Sequence, residues 1–218
     1  MKSIRVSLRK TSLVDYPGKV AAVLFFCGCN LRCPWCYNWE LIMAPPEDLT
    51  SLEEAFALIE KRKHLLGGVV LSGGEPTLVK ELPEIIAMIK SLGLPVKLDT
   101  NGMLPDILKK ICGNQDTAPD FIAMDIKLPP ERYGEIGMRK ESAPGPSRAT
   151  ADRIRESAAF IRASGIEHEF RALALPAPYF SEQDMDIIKN IADGTLKIRP
   201  FRGGNCLDKS WNQYASTG

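Results

Sequence analysis

Apolar positions along the chain fall into two alternating patterns, short unbroken runs and stretches in which they return every three or four residues. Val20 to Phe26 is a seven-residue apolar run, preceded by Asp15-Tyr16-Pro17-Gly18 and followed by a cysteine-rich loop. It predicts a strand buried on both faces. Ser51-Leu52-Glu53-Glu54 has the form of a capping box, after which Leu52, Ala55, Phe56 and Ile59 recur at helical spacing as far as about His64. Val69-Val70-Leu71 predicts a second strand, and Leu82, Ile85, Ile86 and Ile89 a helix closed at Gly93. The same alternation gives a strand at Val96 to Leu98, a helix at Leu104 to Ile111 and a strand at Phe121 to Ile126. It continues with a helix through Ile154, Ser157, Ala158 and Ile161 closed by Gly165, then a strand at Phe170 to Leu175. A helix from Ser181 to Ala192, with a second box in Ser181 and Asp184, precedes a last strand at Leu196 to Ile198.

Six strands separated by helices predict parallel βαβ units with right-handed crossovers. A full eightfold barrel needs about 250 residues, so six units in a chain of 218 predict an incomplete barrel or a doubly wound sheet. The expected organisation is a single domain over residues 1–218, with a short extension over about 1–18 and a polar tail over about 203–218. No internal repeat is evident. The Pro, Gly and Ser-rich stretch Arg139 to Ala149 is expected to be a mobile loop.

Composition alters this picture in one respect. With 44% hydrophobic and 25% charged residues the chain is of ordinary globular type, and its net charge of +1 offers no electrostatic footprint for nucleic acid or an anionic membrane. No run approaches the roughly 18 apolar residues of a membrane span, and Met1 to Lys10 alternates charged and apolar residues without a signal region. A cytoplasmic location is therefore expected. Reduced thiols there would serve a metal or catalysis instead of disulfides. Of the six cysteines, Cys27, Cys29, Cys33 and Cys36 fall within ten residues, whereas Cys112 and Cys206 are isolated.

Two readings of Cys27-Gly-Cys29-Asn-Leu-Arg-Cys33-Pro-Trp-Cys36 compete: a closed tetrahedral zinc site using four thiolates, or an iron-sulfur cluster using three. Zinc sites of this kind usually join two distant turns, whereas all four thiols here share one loop. Cys29, Cys33 and Cys36, with the aromatic Tyr37 directly after, resemble the signature of the radical S-adenosylmethionine superfamily. That resemblance implies a 4Fe-4S cluster with three protein thiolates, whose open iron is chelated by S-adenosylmethionine. Reductive cleavage of the sulfonium then releases a 5′-deoxyadenosyl radical. Cys27 would be an extra thiol near the cluster.

Further motifs lie at successive strand ends, where ligands bind in parallel α/β folds. Gly73-Gly74-Glu75-Pro76 can be read as an ordinary turn, but it resembles the superfamily segment that contacts the methionyl amino group. Asp99 and Thr100 can be read as helix-capping residues and Lys127 as a solvated charge. Asp99-Thr100-Asn101-Gly102 and Asp125-Ile126-Lys127 nevertheless resemble segments of glycyl radical enzyme activases such as the pyruvate formate-lyase activator. The resemblance implies a monovalent cation held by Asp99, Thr100, the Ala123 carbonyl and Asp125, with Lys127 near the cofactor carboxylate. Arg171 and Arg202 offer forks for carboxylate or peptide carbonyls, although the activase compared carries a histidine where Arg202 aligns. His64 and His168 belong to no motif, which argues against histidine acid-base catalysis.

The segments Lys10 to Lys19, Phe25 to Cys33 and Pro200 to Asp208 resemble anaerobic ribonucleoside-triphosphate reductase activating proteins. Membership would imply a glycyl radical enzyme as protein substrate, hydrogen abstraction from a glycine Cα, and an electron donor of the reduced flavodoxin or ferredoxin type. A partial barrel, open at the side, would admit the substrate loop. Activation of another glycyl radical enzyme, radical chemistry on a small molecule, and a non-catalytic iron-sulfur or zinc scaffold remain as alternatives, because strand-end motifs specify a cofactor and loops specify a substrate. The polar tail, with Trp211 and Tyr214, is either a docking element or a frayed terminus. Anaerobically reconstituted protein is expected to contain about four iron and four sulfide per chain. One zinc per chain without sulfide would overturn the cluster reading.

Overall fold

The computed structural model describes residues 4–138, 148–194 and 196–214. In chain order the strands are β1 (Arg5–Ser12), β2 (Ala21–Phe26), β3 (Leu31–Arg32), β4 (Thr50–Ser51), β5 (Gly68–Gly73), β6 (Val96–Thr100), β7 (Phe121–Asp125), β8 (Gly137–Met138), β9 (Glu167–Ala174) and β10 (Leu196–Pro200). The α-helices are α1 (Trp39–Met43), α2 (Leu52–Arg62), α3 (Leu82–Ser91), α4 (Pro105–Cys112), α5 (Arg148–Ala163) and α6 (Glu182–Ala192). Eight strands form one sheet in the order β10-β9-β7-β6-β5-β2-β1-β4, and β3 pairs with β8 in a small separate ribbon. The run from β2 to β10 is parallel throughout, while β1 is antiparallel to both β2 and β4. β10 and β4 are the two ends of the sheet, so it is an open, partial barrel of six parallel strands with an antiparallel extension.

All six sequence-predicted strands are present, for a reason visible in the packing. One face of the parallel strands carries Ala22, Leu24, Val69, Leu71, Val96, Leu98, Ile122, Met124 and Phe170, nearly all inaccessible, and forms the main core with the helices. On α3 the four periodic residues Leu82, Ile85, Ile86 and Ile89 are fully buried, each contributing about 1.5–3 kcal/mol of burial. The opposite, concave face carries Ala21, Val23, Val70, Phe121 and Ala123, which pack with Tyr16 as a second, smaller cluster. Small residues suit the narrow interior of a barrel, and they occupy the N-terminal ends of the strands. Both faces are therefore apolar there, as expected of parallel strands buried on two sides.

The capping boxes at Ser51 and Ser181 are both complete, with the serine hydroxyl accepting from the N3 backbone N–H and the N3 carboxylate accepting from the cap. Gly93 and Gly165 have φ of 78° and 74°, the left-handed geometry their positions after helices require. Of the Arg139 to Ala149 stretch, residues 139–147 lie outside the described residues, and Arg148 and Ala149 open α5. No described helix is long and apolar enough to cross a membrane.

The N-terminal stretch differs from its reading as an extension. Arg5–Ser12 is β1, a strand of the main sheet, with Val6 fully buried opposite Phe26. The segment alternates charged and apolar residues because only one of its faces packs on α2 and the core. The tail also differs from a frayed terminus as far as residue 214. Its short 3-10 helix Lys209–Tyr214 buries Trp211 against Trp35, with ring centroids 5.0 Å apart. Residues 215–218 lie outside the described residues. Val6→Ala is expected to lower unfolding free energy by about 2 kcal/mol in denaturant titration. A change within error would show that β1 adds nothing to the core.

Candidate active site

At the C-terminal ends of the parallel strands the concave face opens into a cavity of about 970 Å³, at the upper end of the roughly 300–1,000 Å³ of small-molecule sites. Of the residues singled out from the sequence, Cys29, Cys33, Cys36, Gly73, Gly74, Glu75, Asp99, Thr100, Asp125, Lys127, Arg171 and Arg202 all line it. Pro76 does not; it opens the single turn Pro76–Leu78, whose first residues fix the direction of Glu75.

The cysteine loop lies between β2 and α1. Cys29 and Cys33 are each 7% exposed, and Cys36 is half-buried. All six cysteines carry free thiols. Burial pushes the Cys33 thiol up to about 12 and Cys29 up to about 11. Such thiols ionise only when something replaces the lost hydration, as metal ligation does. Among the described residues, no three His, Cys, Asp or Glu side chains gather as ligands of one metal ion.

The loop is fixed from two sides. The backbone N–H of Gly74 donates to Phe26 O at 2.9 Å, and that of Glu75 donates to Gly28 O at 2.9 Å. This approach is so close that a Cβ on Gly74 would lie 1.9 Å from the Gly28 carbonyl oxygen. Gly73 has φ of 110°, and a Cβ there would meet the Phe26 backbone at 2.4 Å. Both glycines are thus required by the joint between β2 and β5, and the space they leave forms part of the cavity wall. On the other side, Asp208 N–H donates to Pro34 O and Trp39 Nε1 donates to Asn205 Oδ1. Tyr37 Oη accepts from the Arg202 backbone N–H at 2.8 Å, with its ring stacked on Phe201. Arg202 itself extends exposed at the rim.

Glu75 is 1% exposed and fully engaged. Oε1 accepts from the Thr77 hydroxyl at 2.5 Å and the Thr100 hydroxyl at 2.9 Å, and Oε2 from the Asn101 N–H at 2.7 Å. Burial pushes its carboxyl upward against these hydrogen bonds, which favour the ionised form. It ties the loop after β5 to the loop after β6. Asn101 then donates through Nδ2 to Asn30 Oδ1 at 2.8 Å, beside Cys29. Asn101, unassigned from the sequence despite its place in the Asp-Thr-Asn-Gly segment, therefore joins that junction to the cysteine loop.

The floor of the cavity is charged. β6, β7 and β9 are adjacent and parallel, so Asp99, Asp125 and Arg171 fall on one face. Arg171 Nε donates to Asp125 Oδ1 at 2.7 Å, and its Nη1 lies 3.4 Å from Asp99 Oδ1. Lys127 Nζ donates to Asp125 Oδ2 at 2.9 Å. Burial opposes ionisation of Asp125, but Arg171 and Lys127 outweigh it and hold the carboxyl well below the usual range. Lys127 is held above its usual range by Asp125 against the same burial. Lys97, hidden in the apolar run of β6, is a further cation the sequence reading passed over. Its isolation between Val96 and Leu98 was the available signal.

Residues 23–189 match the Radical SAM superfamily model. The chain is 30% identical over 215 residues to a Methanocaldococcus jannaschii protein with the provisional name glycyl-radical enzyme activating enzyme, covering 98% of this chain and 86% of that one. It is 35% identical over 132 residues to the pyruvate formate-lyase-activating enzyme of Clostridium pasteurianum, covering 56% and 51%. It is 38% identical over 94 residues to a 7-carboxy-7-deazaguanine synthase of Hyperthermus butylicus, covering 41% and 38%. The fold is like that of Streptococcus suis SuiB crystallised with S-adenosylmethionine, with TM-score 0.61 and 13% identity. That match covers 86% of this chain and 44% of that structure. Gly74→Ala is expected to destabilise the protein by about 3 kcal/mol, read as a lowered unfolding midpoint. Unchanged stability would contradict the close approach of the two strand ends. The chain belongs to the radical SAM superfamily, enzymes of oxidoreductase-type radical chemistry, among relatives named for activating glycyl-radical enzymes.

Proposed function

We propose that this cavity holds a 4Fe-4S cluster on Cys29, Cys33 and Cys36 with S-adenosylmethionine beside it, and that the chain activates a glycyl radical enzyme, specifically an anaerobic ribonucleoside-triphosphate reductase. The observation that carries the reading is the meeting, in one cavity, of three thiols, two of them buried, a glycine-lined wall and a charged floor that includes Lys127 and Arg171. Held there by Cys29, Cys33 and Cys36 and by the strand-end residues, the two groups would supply reductive C–S bond cleavage and radical hydrogen abstraction from a glycine Cα of the partner.

The residues of the chain bind, orient and exclude water. The wall at Gly73 and Gly74 leaves main-chain groups accessible to a cationic amino group, and Asn38 Nδ2 holds the Gly73 carbonyl at 3.1 Å. Glu75 acts as a positioning residue for both adjoining loops, and Pro76 fixes its approach. Lys127 and Arg171 offer positive charge to the cofactor carboxylate. Arg202, at the rim, is suited to a carbonyl of an entering peptide. Trp35, which lines the cavity beside the cysteines, is buried against Trp211.

Alignment with the archaeal relative over 98% of this chain favours the activase reading over synthesis of a small molecule, for which the similarity spans 41% and 52% of this chain in two of the synthases matched. Reduced, reconstituted protein is expected to cleave S-adenosylmethionine to 5′-deoxyadenosine. It should also leave a glycyl radical, detected by electron paramagnetic resonance, on the reductase. Cys33→Ala should lower cleavage by more than about a hundredfold. A radical on a different partner would overturn the named substrate alone; absence of cleavage with an intact cluster would overturn the enzyme.

A further inference from the structure

We infer that this chain needs no monovalent metal ion beside its cofactor, because the Arg171 guanidinium bridges Asp99 and Asp125 where such an ion would sit and the Lys97 ammonium takes the same Asp99 oxygen. The inference rests on reading the cavity as a S-adenosylmethionine site.

The oxygens expected to ligate an ion are already engaged from within. Asp99 Oδ1 accepts from Lys97 Nζ at 2.5 Å, with Arg171 Nη1 at 3.4 Å, and Asp99 Oδ2 accepts from the Ser72 hydroxyl at 2.9 Å. The Asp125 oxygens accept from Arg171 Nε and Lys127 Nζ. Thr100 turns its hydroxyl to Glu75 and accepts from the Gly102 N–H at 3.2 Å. Ala123 lies in the central strand β7, paired on both sides. Each of these side-chain oxygens thus already has a partner from the chain, whereas an alkali ion needs several hard-oxygen ligands at once.

Charge points the same way. Lys127 and Arg171 already meet Asp125, and Lys97 and Arg171 already meet Asp99. The next carboxylate inward, Glu169, is taken by Lys197 at 2.5 Å. A metal ion would bring a further positive charge to carboxylates that the chain's own cations already meet, in a buried place where unbalanced charge is costly.

Lys97 is also built to stay. Its side chain is 1% exposed, flanked by buried Val96 and Leu98, with Nζ 6.0 Å from the centre of the Phe121 ring. The register that places Lys97 between Val70 and Phe121 puts its ammonium two residues below Asp99 on the same face. An ammonium is a compact point charge, a closer substitute for an alkali ion than a guanidinium is.

The test uses anaerobically reconstituted full-length protein, with S-adenosylmethionine binding measured by equilibrium dialysis at fixed ionic strength. The supporting salt is tetramethylammonium, sodium or potassium chloride. Wild-type affinity is expected to differ by less than about twofold among the three. Lys97→Met is expected to bind about tenfold more weakly in tetramethylammonium chloride and to recover in potassium or sodium chloride. Lys97→Arg should stay independent of the salt. Sodium NMR on the wild-type protein, which requires no cofactor, should show no saturable ion site. A wild-type affinity that rises about tenfold with sodium or potassium, a saturable sodium site, or a folded Lys97→Met indifferent to alkali ions overturns the inference. Failure of S-adenosylmethionine to bind in every salt overturns the cofactor reading instead, and the sodium NMR then still decides the ion question. If Lys97→Met does not fold, the wild-type measurements decide it.

Discussion

The structure depends on neutralising charges that lie inside a barrel. Three adjacent parallel strands carry Lys97, Asp99, Asp125 and Arg171 on their concave face, most of them within a sixth of full exposure. A buried charge left without its partner costs several kcal/mol, so the strands must be in register for the fold to be tolerable. Arg171 bridges both acids, which makes the order β6-β7-β9 and the alignment of β9 electrostatic requirements as well as hydrogen-bonding ones. Below this layer the concave face narrows to alanines, valines and Phe121, a lining that excludes water and makes the pairing above it stronger.

The wall of the cavity depends on the same economy of space. Gly73 and Gly74 let β5 and its following loop contact the turn after β2, and the cysteine loop therefore starts from a fixed point. Its far side is fixed by the chain end, through Trp35 on Trp211 and Pro34 on Asp208. The cysteines are thus presented by a loop held at both margins, as a site needing sub-ångström placement requires. The open edge between β10 and the N-terminal strands leaves the cavity accessible from the side, where a full barrel would close it.

Much of this was legible in the residues. The six parallel strands announce themselves as apolar runs because both faces are buried, and α2, α3, α4 and α6 by their spacing and caps. The cysteine loop and the glycine pair were visible because each is a local cluster whose residues must be neighbours in the chain. β1 was hidden because a strand with only one buried face alternates like a solvated segment. Lys97 was hidden because a lysine reads as solvated charge, and its burial depends on neighbouring strands closing over it. Pro76, part of a recognisable motif, acts on the cavity only through Glu75.

The sequence by itself determined the alternation of elements, the parallel class of the sheet, the spacing of the three thiols and the chemistry of the strand ends. These depend on periodicity and on contacts between near neighbours. Only the tertiary structure decided which charges meet, since Asp125 and Arg171 are 46 residues apart and either could have been solvated. It alone also brought Asn205, 166 residues beyond Trp39, back onto the segment following the cysteines. Pairings of that kind are set by strand order and by the closure of the fold around the cavity, for which a linear chain carries no local signal.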